Sequence, residues 1–206
     1  MLGQGAWGWY IAPAFGGLAP PGLPGHSEDI GLPYAPDQAR RLMAEAGYPN
    51  GQGFPPVEAW GVAAENSVTE TVHDQWLEIL GIECRMEQME QNTFYRRLEQ
   101  ETPHLFFNGW QADYPDPDNF FRVAITYQSR WHDPAYDQMV EKAGHMTDQT
   151  GRMKIYREAD RILMQEAVIM PLFYGRANLL IKPWVRRYSL SPIQPFTLKD
   201  TVIEPH

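Results

Sequence analysis

Residues 104–121 read HLFFNGWQADYPDPDNFF, an apolar run followed at once by an acidic, proline-rich loop. The apolar part predicts a strand that is buried on both faces of a sheet. The loop carries three carboxylates, those of Asp113, Asp116 and Asp118. In open α/β sheets, ligands bind just beyond the carboxyl ends of the strands, which is where this loop begins. The stretch therefore predicts a buried strand and, just beyond its end, the position of a candidate site.

Helical and strand patterns alternate on both sides of this stretch, while residues 1–34 are rich in Gly and Pro and predict a loop. Such alternation implies an α/β domain with largely parallel strand pairing. Helices are predicted over 36–46, 67–80, 92–98, 134–146 and 149–167, with a short one starting at 118 or 119, and strands over 55–62, 82–88, 104–110, 168–175 and 178–184.

Polar residues at three of these helix starts predict N-caps, because their side chains can accept hydrogen bonds from the first free amides. Asn66 or Ser67 is expected to cap the second helix, and Asn92 or Thr93 the third. Asp118 follows a proline and precedes NFFRVA, so we expect it to cap the short helix after the acidic loop.

The composition excludes several classes of protein. A net charge of −9 argues against a nucleic-acid partner, which needs clustered Lys and Arg. Cys84 is the single cysteine in the sequence, so the chain builds no disulfide framework and no cysteine-based zinc site by itself. No apolar run reaches the roughly 18 residues of a membrane helix. The apolar N-terminal stretch has no Lys or Arg before Arg40 and is broken by Gly and Pro, so no secretory signal peptide is predicted in this sequence.

The acidic loop has four possible explanations, of which two are disfavoured. A calcium loop of the EF type needs a glycine at its sixth position, where this sequence has Asp118. An acid/base enzyme around Asp113 and Asp116 would need two carboxylates in different environments, and no nucleophile or oxyanion site accompanies them. The residues therefore indicate no metal, no cofactor and no catalytic group.

Two of the three carboxylates are explained by local structure, and the third is a candidate for ligand binding. Asp118 is predicted as a helix cap, and Asp116, between two prolines, as a turn residue. Asp113 is explained by neither, and a carboxylate beyond a strand end can accept hydrogen bonds from an ammonium group. Trp110 could add an aromatic face for a cation, or could be a core residue. Trp60, Trp184 and Tyr174 could line a cleft, whereas Trp76 is predicted to be core.

On this scaffold the chain resembles the extracytoplasmic solute-binding proteins of family 5, the peptide-, dipeptide- and nickel-binding components of ABC importers. The similarity covers almost the whole chain in family order. The stretches that carry it are LPYAPDQARRLMAEAGYPNG, WLEILGIECRMEQMEQNTFYRRLEQ, LFFNGWQADYPDPDNFF, EADRILMQEAVIMPLFYGR and KPWVRRYSL.

This resemblance implies the C-terminal lobe of a two-lobed, periplasmic-binding-protein-like (type II) α/β fold, with a mixed, mostly parallel sheet flanked by helices and the first lobe missing. Residues 1–184 would form the lobe, opening with the Gly/Pro-rich segment 1–34, and residues 185–206 an extended segment that returns to the first lobe. The full-length protein would be periplasmic or at the cell surface. Its partners would be a short peptide or similar amine-bearing solute and the membrane permease of an ABC importer. Alternatively, the lobe stands alone, binds no ligand and acts by self-association or in protein interaction.

The resemblance also implies a site. In peptide-binding members, the aspartate of a W-x-x-D motif pairs with the α-amino group of the peptide, and Trp110 and Asp113 match that motif. One departure concerns the strand before it, where some members have a basic residue for the peptide carboxylate and this chain has Phe106 and Phe107. The expected ligand-binding residues are Asp113, Trp110, Ala112 and Tyr114.

Overall fold

The computed structural model describes residues 9–63, 66–177, 180–188 and 198–205. Their contacts divide the chain into two compact units. The first is Pro33–Gly109, and the second combines residues 9–32 with the described residues from 110 onward. Among the described residues, no helix is long and apolar enough to cross a bilayer.

The first unit is built on a parallel sheet of three strands, as the alternating pattern predicts. The strands are β2 (Val57–Val62), β3 (Cys84–Met89) and β4 (Leu105–Phe106), in the order β3-β2-β4. Trp60 of the central strand pairs with Phe106 on one side and with Glu87 on the other. Its ring is buried, and with Phe94 and Met89 it forms the core of the unit.

Three helices connect or precede these strands, close to their predicted positions. They are α1 (Pro36–Glu45), α2 (Asn66–Leu80) and α3 (Gln91–Gln100). Helix α2 ends at Gly81, whose φ of +69° is readily adopted only by glycine. The cap predicted for α3 is wrong: the Glu90 carboxylate accepts hydrogen bonds from the amides of Asn92 and Thr93, so these residues lie inside the first turn.

Strand β4 differs from its prediction. The run over 104–110 was expected to form a strand buried on both faces, but only Leu105 and Phe106 pair with β2. The Leu105 side chain is exposed and that of Phe106 is half-buried. The physical reason is position, because β4 is an edge strand of this sheet and an apolar run by itself does not distinguish an edge from a centre.

The second unit contains two antiparallel strand pairs, so the fold as a whole is mixed. Strand β1 (Trp9–Pro13) pairs with β5 (Phe173–Ala177), and β6 (Val185–Arg186) pairs with β7 (Val202–Ile203). The sequence predicted a loop for residues 1–34, and β1 corrects this. Residues 180–184 are not in a strand, and the rest of the strand predicted over 178–184 lies outside the described residues.

The core of the second unit is helical. A π-helical segment, Asn119–Ala124, continues into α4 (Ile125–Gln128), and α5 (Pro134–Gly144) and α6 (Gln149–Gln165) follow. Helix α6 ends two residues earlier than predicted, because Ala167 has a φ of +51° and leaves the helical path. The buried side chains that pack together here include Phe121, Tyr136, Val140, Tyr156 and Leu163.

Candidate ligand-binding site

Asp116 holds the acidic loop in shape. Its Oδ1 accepts a hydrogen bond from the Asp118 amide over 2.8 Å, and its backbone oxygen accepts one from the Asn119 amide over 3.1 Å. Its carboxylate also receives two hydrogen bonds of 2.7 Å from Arg152 of α6. The prediction of a turn residue is therefore consistent with the structure, which adds an ion pair to a distant helix.

Asp118 is not the helix cap that the sequence predicts. It has helical backbone angles, and its side chain makes no capping hydrogen bond. Its carboxylate is buried and instead accepts two hydrogen bonds from Arg122, at 2.8 and 2.6 Å, and one from the Tyr114 hydroxyl at 2.8 Å. Burial by itself would raise the pKa of Asp118, but the hydrogen bonds from Arg122 and Tyr114 outweigh it and lower that pKa.

Asp113 is the carboxylate of this loop that pairs with no described cation. It is exposed to solvent, and its Oδ2 accepts a hydrogen bond from Asn119 Nδ2 over 3.2 Å. Its backbone amide donates to Asn119 Oδ1 over 3.1 Å. These are the hydrogen bonds that Asp113 makes with the described residues. A negative charge is thus presented to solvent on a loop whose other two acids are neutralised.

Trp110 is fixed beside this carboxylate through the same asparagine. Its indole Nε1 donates to Asn119 Oδ1 over 2.7 Å, and the side chain is half-buried. The indole ring lies 6.0 Å from the ring of Tyr127, which is 70% exposed. The structure therefore links Trp110 and Asp113 through Asn119 and places a second aromatic ring next to Trp110.

The other two predicted site residues flank Asp113 in sequence. Ala112 is half-buried. Tyr114 is exposed, and because its hydroxyl donates to Asp118, that hydroxyl already has a partner. Burial, followed by the hydrogen bond to Asp118, raises the pKa of Tyr114.

Several important residues were not predicted from the sequence. Arg122 follows Asp118 at the i+4 spacing that favours an ion pair in a helix, so a local signal for it exists. Asn119 belongs to the matching motif, but the sequence pattern predicts for it only the start of a helix. Arg152 gave no local signal, because its partner Asp116 is 36 residues away.

A polar cleft of about 310 Å³ lies next to the two ion pairs. Its lining includes Arg122 and Arg152 with their aspartate partners, together with Glu141 and His145. Most of these charges face each other: Arg122 contacts Asp118, and His145 Nε2 lies 3.0 Å from Glu141 Oε1. A cleft lined by charges that are already paired is a weaker candidate for a charged ligand than the exposed carboxylate of Asp113, which has no described cationic partner.

Two of the remaining aromatics already have partners within the protein. Trp60 is 2% exposed and lies under the guanidinium of Arg97, at 4.1 Å, so it does not line a cleft. The Tyr174 hydroxyl donates to Gly17 O over 2.6 Å. Trp76, predicted as core, is half-buried.

Comparison with known proteins first defines the class. The oligopeptide-binding protein of Borrelia burgdorferi matches with a TM-score of 0.79 at 20% identity, over 94% of this chain and 40% of that one. The murein tripeptide-binding protein MppA of Escherichia coli matches with a TM-score of 0.75 at 24% identity, over 95% of this chain and 41% of that one. The fold is that of a periplasmic binding protein, which confirms the predicted α/β class.

The sequence comparison then gives the family. The chain belongs to the bacterial extracellular solute-binding proteins of family 5, whose middle-region model matches residues 8–149. The periplasmic oligopeptide-binding protein OppA of Salmonella typhimurium is 26% identical over 176 residues, which are 82% of this chain and 32% of OppA. Di/tripeptide-binding protein 1 of Pseudomonas aeruginosa is 26% identical over 196 residues, 86% of this chain and 36% of that protein. The chain thus spans about a third of the length of these relatives, which are named as binding proteins and not as enzymes.

Proposed function

We propose that this chain is part of the solute-binding component of an ABC importer, and that it binds short peptides or similar amine-bearing solutes with Asp113 as the anchor for the α-amino group. Family membership supports the general role, and the relatives named above are peptide-binding proteins. In the whole protein the solute would pass to the membrane permease, so the proposed location is extracytoplasmic.

One observation carries the anchor assignment: Asp113 is an exposed carboxylate without a described cationic partner, held next to Trp110. An ammonium group offers three donors and no acceptor, which suits a carboxylate with free acceptor sites. A charge-assisted hydrogen bond of this kind contributes about 1.5–3 kcal/mol. A cation near the Trp110 ring would gain about 0.5–2 kcal/mol more.

The neighbouring carboxylates are poor alternatives for this anchor. Asp116 and Asp118 each accept two hydrogen bonds from an arginine. A ligand ammonium would have to displace that guanidinium and leave it unpaired, which costs several kcal/mol for a buried partner. The same pairing argues against an acid/base enzyme around Asp113 and Asp116.

The residues next to the anchor complete the proposed site. The backbone around Ala112 and Tyr114 would pair with an extended peptide, a mode of binding that tolerates many side chains. Residues 185–206 would form the segment that reaches the other lobe. If a complete two-lobed clamp binds at about 1 μM, a lobe with half of the contacts binds at about 1 mM or weaker.

The experiment titrates this chain with trialanine and with N-acetyl-trialanine, following chemical shifts in NMR spectra. We expect trialanine to bind in the millimolar range and the acetylated peptide to bind at least tenfold more weakly. Asp113→Asn should remove this difference. Asp29→Asn, which changes an exposed aspartate of the same unit, serves as the matched control and should preserve it.

Three results would contradict the proposal. If Asp113→Asn weakened the binding of both peptides equally, Asp113 would not recognise the amine. Submicromolar binding by this chain would contradict the assignment as one lobe of a clamp and would indicate a site completed by self-association. No binding of either peptide at 20 mM, about twenty times the expected dissociation constant, would favour a lobe that acts in protein interaction.

A further inference from the structure

Asn119 is fully buried, and its carboxamide contacts both groups on which the proposed site depends. Its Oδ1 accepts hydrogen bonds from Trp110 Nε1 at 2.7 Å and from the Asp113 amide at 3.1 Å. Its Nδ2 donates to Asp113 Oδ2 at 3.2 Å. A single side chain therefore fixes the indole, the backbone at residue 113 and one oxygen of the carboxylate.

The chemistry of these three bonds requires a carboxamide. The indole N–H and the backbone N–H can only donate, so the group facing them must be an acceptor. The Asp113 carboxylate can only accept, so the group facing it must be a donor. The partners thereby assign the orientation of the Asn119 amide, with Oδ1 toward Trp110 and Nδ2 toward Asp113. An aspartate at this position would satisfy the two donors but would place an oxygen against Asp113.

Asn119 is itself held in place by the interior of the unit. Its backbone amide donates to the oxygen of Asp116, and the Asp116 carboxylate is bound by Arg152 of α6. The Arg152 Nε also donates to Ala143 O at 2.9 Å, near the end of α5. Contacts therefore run without a break from helices α5 and α6 to the carboxylate of Asp113.

We infer that Asn119 is the positioning residue of the amine site: it fixes the orientation of the Asp113 carboxylate and keeps the Trp110 ring next to it, without touching the ligand. This inference rests on the proposed function, in which Asp113 anchors the α-amino group. Oδ1 of Asp113 has no described partner, so fixing Oδ2 leaves the other oxygen for the ligand. Pre-organisation of this kind raises affinity by reducing what must be ordered on binding.

The first part of the experiment needs no ligand. NMR spectra record the Trp110 indole N–H and the pH titration of the Asp113 carboxyl carbon in three variants. Asn119→Ala should shift the indole signal to that of a solvent-bonded N–H. Asn119→Asp should keep the indole signal but raise the midpoint of the Asp113 titration by at least one pH unit over the parent protein, because two adjacent carboxylates cannot both ionise easily. Tyr136→Phe, which removes a buried bond to Phe121 O, is the matched control and should change neither signal.

The second part measures binding of trialanine and N-acetyl-trialanine to the same variants. Asn119→Ala should weaken the binding of trialanine about tenfold, because the Asp113 carboxylate and the Trp110 ring would then have to be ordered on binding, with little change for the acetylated peptide. Asn119→Asp should displace the pH profile of trialanine binding to higher pH, which a merely structural role would not do. Tyr136→Phe should leave both peptides unchanged.

The outcomes separate the two proposals. Unchanged Trp110 and Asp113 signals in both Asn119 variants would overturn the inference. An equal loss of affinity for trialanine in Asn119→Ala and Tyr136→Phe would also overturn it. If the signals respond as expected but the parent protein binds both peptides alike, the amine-anchoring function fails while the positioning of Asp113 and Trp110 by Asn119 stands.

Discussion

Arg152 binds Asp116 through two hydrogen bonds of 2.7 Å, one to each carboxylate oxygen, and also donates to Ala143 O. The arginine is 8% exposed, whereas Asp116 is partly exposed, so only the arginine side of this pair is buried. A single guanidinium thus joins α5 and α6 to the acidic loop that carries Asp113.

Replacing Arg152 should therefore lower the free energy of unfolding of the second unit. Arg152→Ala leaves Asp116 without its cation, and breaking a buried pair from one side costs about 3–5 kcal/mol. Because Asp116 is partly exposed, we expect the lower end, about 3 kcal/mol, in urea unfolding at pH 7. Arg161→Ala, which removes an exposed pair with Glu158 on the same helix, should cost less than about 1 kcal/mol. Equal effects of the two substitutions would show that the Asp116 pair does not stabilise the fold.

Asp160 should make the stability of this chain depend on pH. Its side chain is fully buried, Oδ1 accepts a hydrogen bond from the Leu18 amide, and burial raises the pKa to about 6. Because this folded-state pKa lies above the unfolded value of about 3.9, the stabilising contribution is complete below about pH 4 and is lost as the pH rises through 6.

Asp160→Asn isolates this effect, since the other titratable groups are common to both proteins. At pH 4 the two free energies of unfolding should be similar. At pH 7.5 the variant should be more stable than the parent by about 2–3 kcal/mol. This is the free energy that corresponds to a pKa about two units higher in the folded than in the unfolded protein. Urea unfolding at both pH values provides the check, and a difference independent of pH would contradict the prediction.

Gly17 should not tolerate a side chain. A Cβ at this position would lie 2.0 Å from Asp160 Oδ2, and Asp160 cannot move away without losing its hydrogen bond to the next residue, Leu18. We expect Gly17→Ala to lower the free energy of unfolding by about 1–3 kcal/mol, the usual cost of overpacking. At Gly109 a Cβ would meet no atom of the described residues within 4 Å, so Gly109→Ala should be neutral or slightly stabilising. Thermal unfolding of both variants tests the contrast.

The cap of α3 can be tested by comparing two neighbouring residues. Glu90→Ala removes the carboxylate that accepts from the Asn92 and Thr93 amides, and should cost about 1 kcal/mol. Asn92→Ala should cost less than about 0.5 kcal/mol, because the Asn92 side chain does not cap the helix. Urea unfolding measures both losses. If Asn92→Ala cost more than Glu90→Ala, Asn92 would be the cap, as the sequence pattern predicts.

Local sequence patterns correctly predicted most of the helices and two of the strands. Helices α2, α5 and α6 and the strands β2 and β3 lie close to their predicted positions, because apolar periodicity and glycine stops act within a few residues. The cap of α3 is a local feature that was nevertheless missed, since Glu is an uncommon N-cap and Asn a common one.

Strand pairing between distant parts of the chain determined features that local sequence patterns did not predict. Strand β1 exists because residues 9–13 pair with 173–177, and Leu105 of β4 is exposed because this strand lies at a sheet edge. Neither fact is visible within a sequence window of 10–20 residues.

The sequence by itself determined the fold class, the family and the candidate motif, since Trp110 and Asp113 are fixed by their spacing. Only the tertiary structure decided what each carboxylate does. Asp116 pairs with Arg152 from a distant helix, and Asp118 forms an ion pair instead of a cap. The physical reason is that the availability of a charge depends on its partners in space, and the main partner of Asp116 lies 36 residues away.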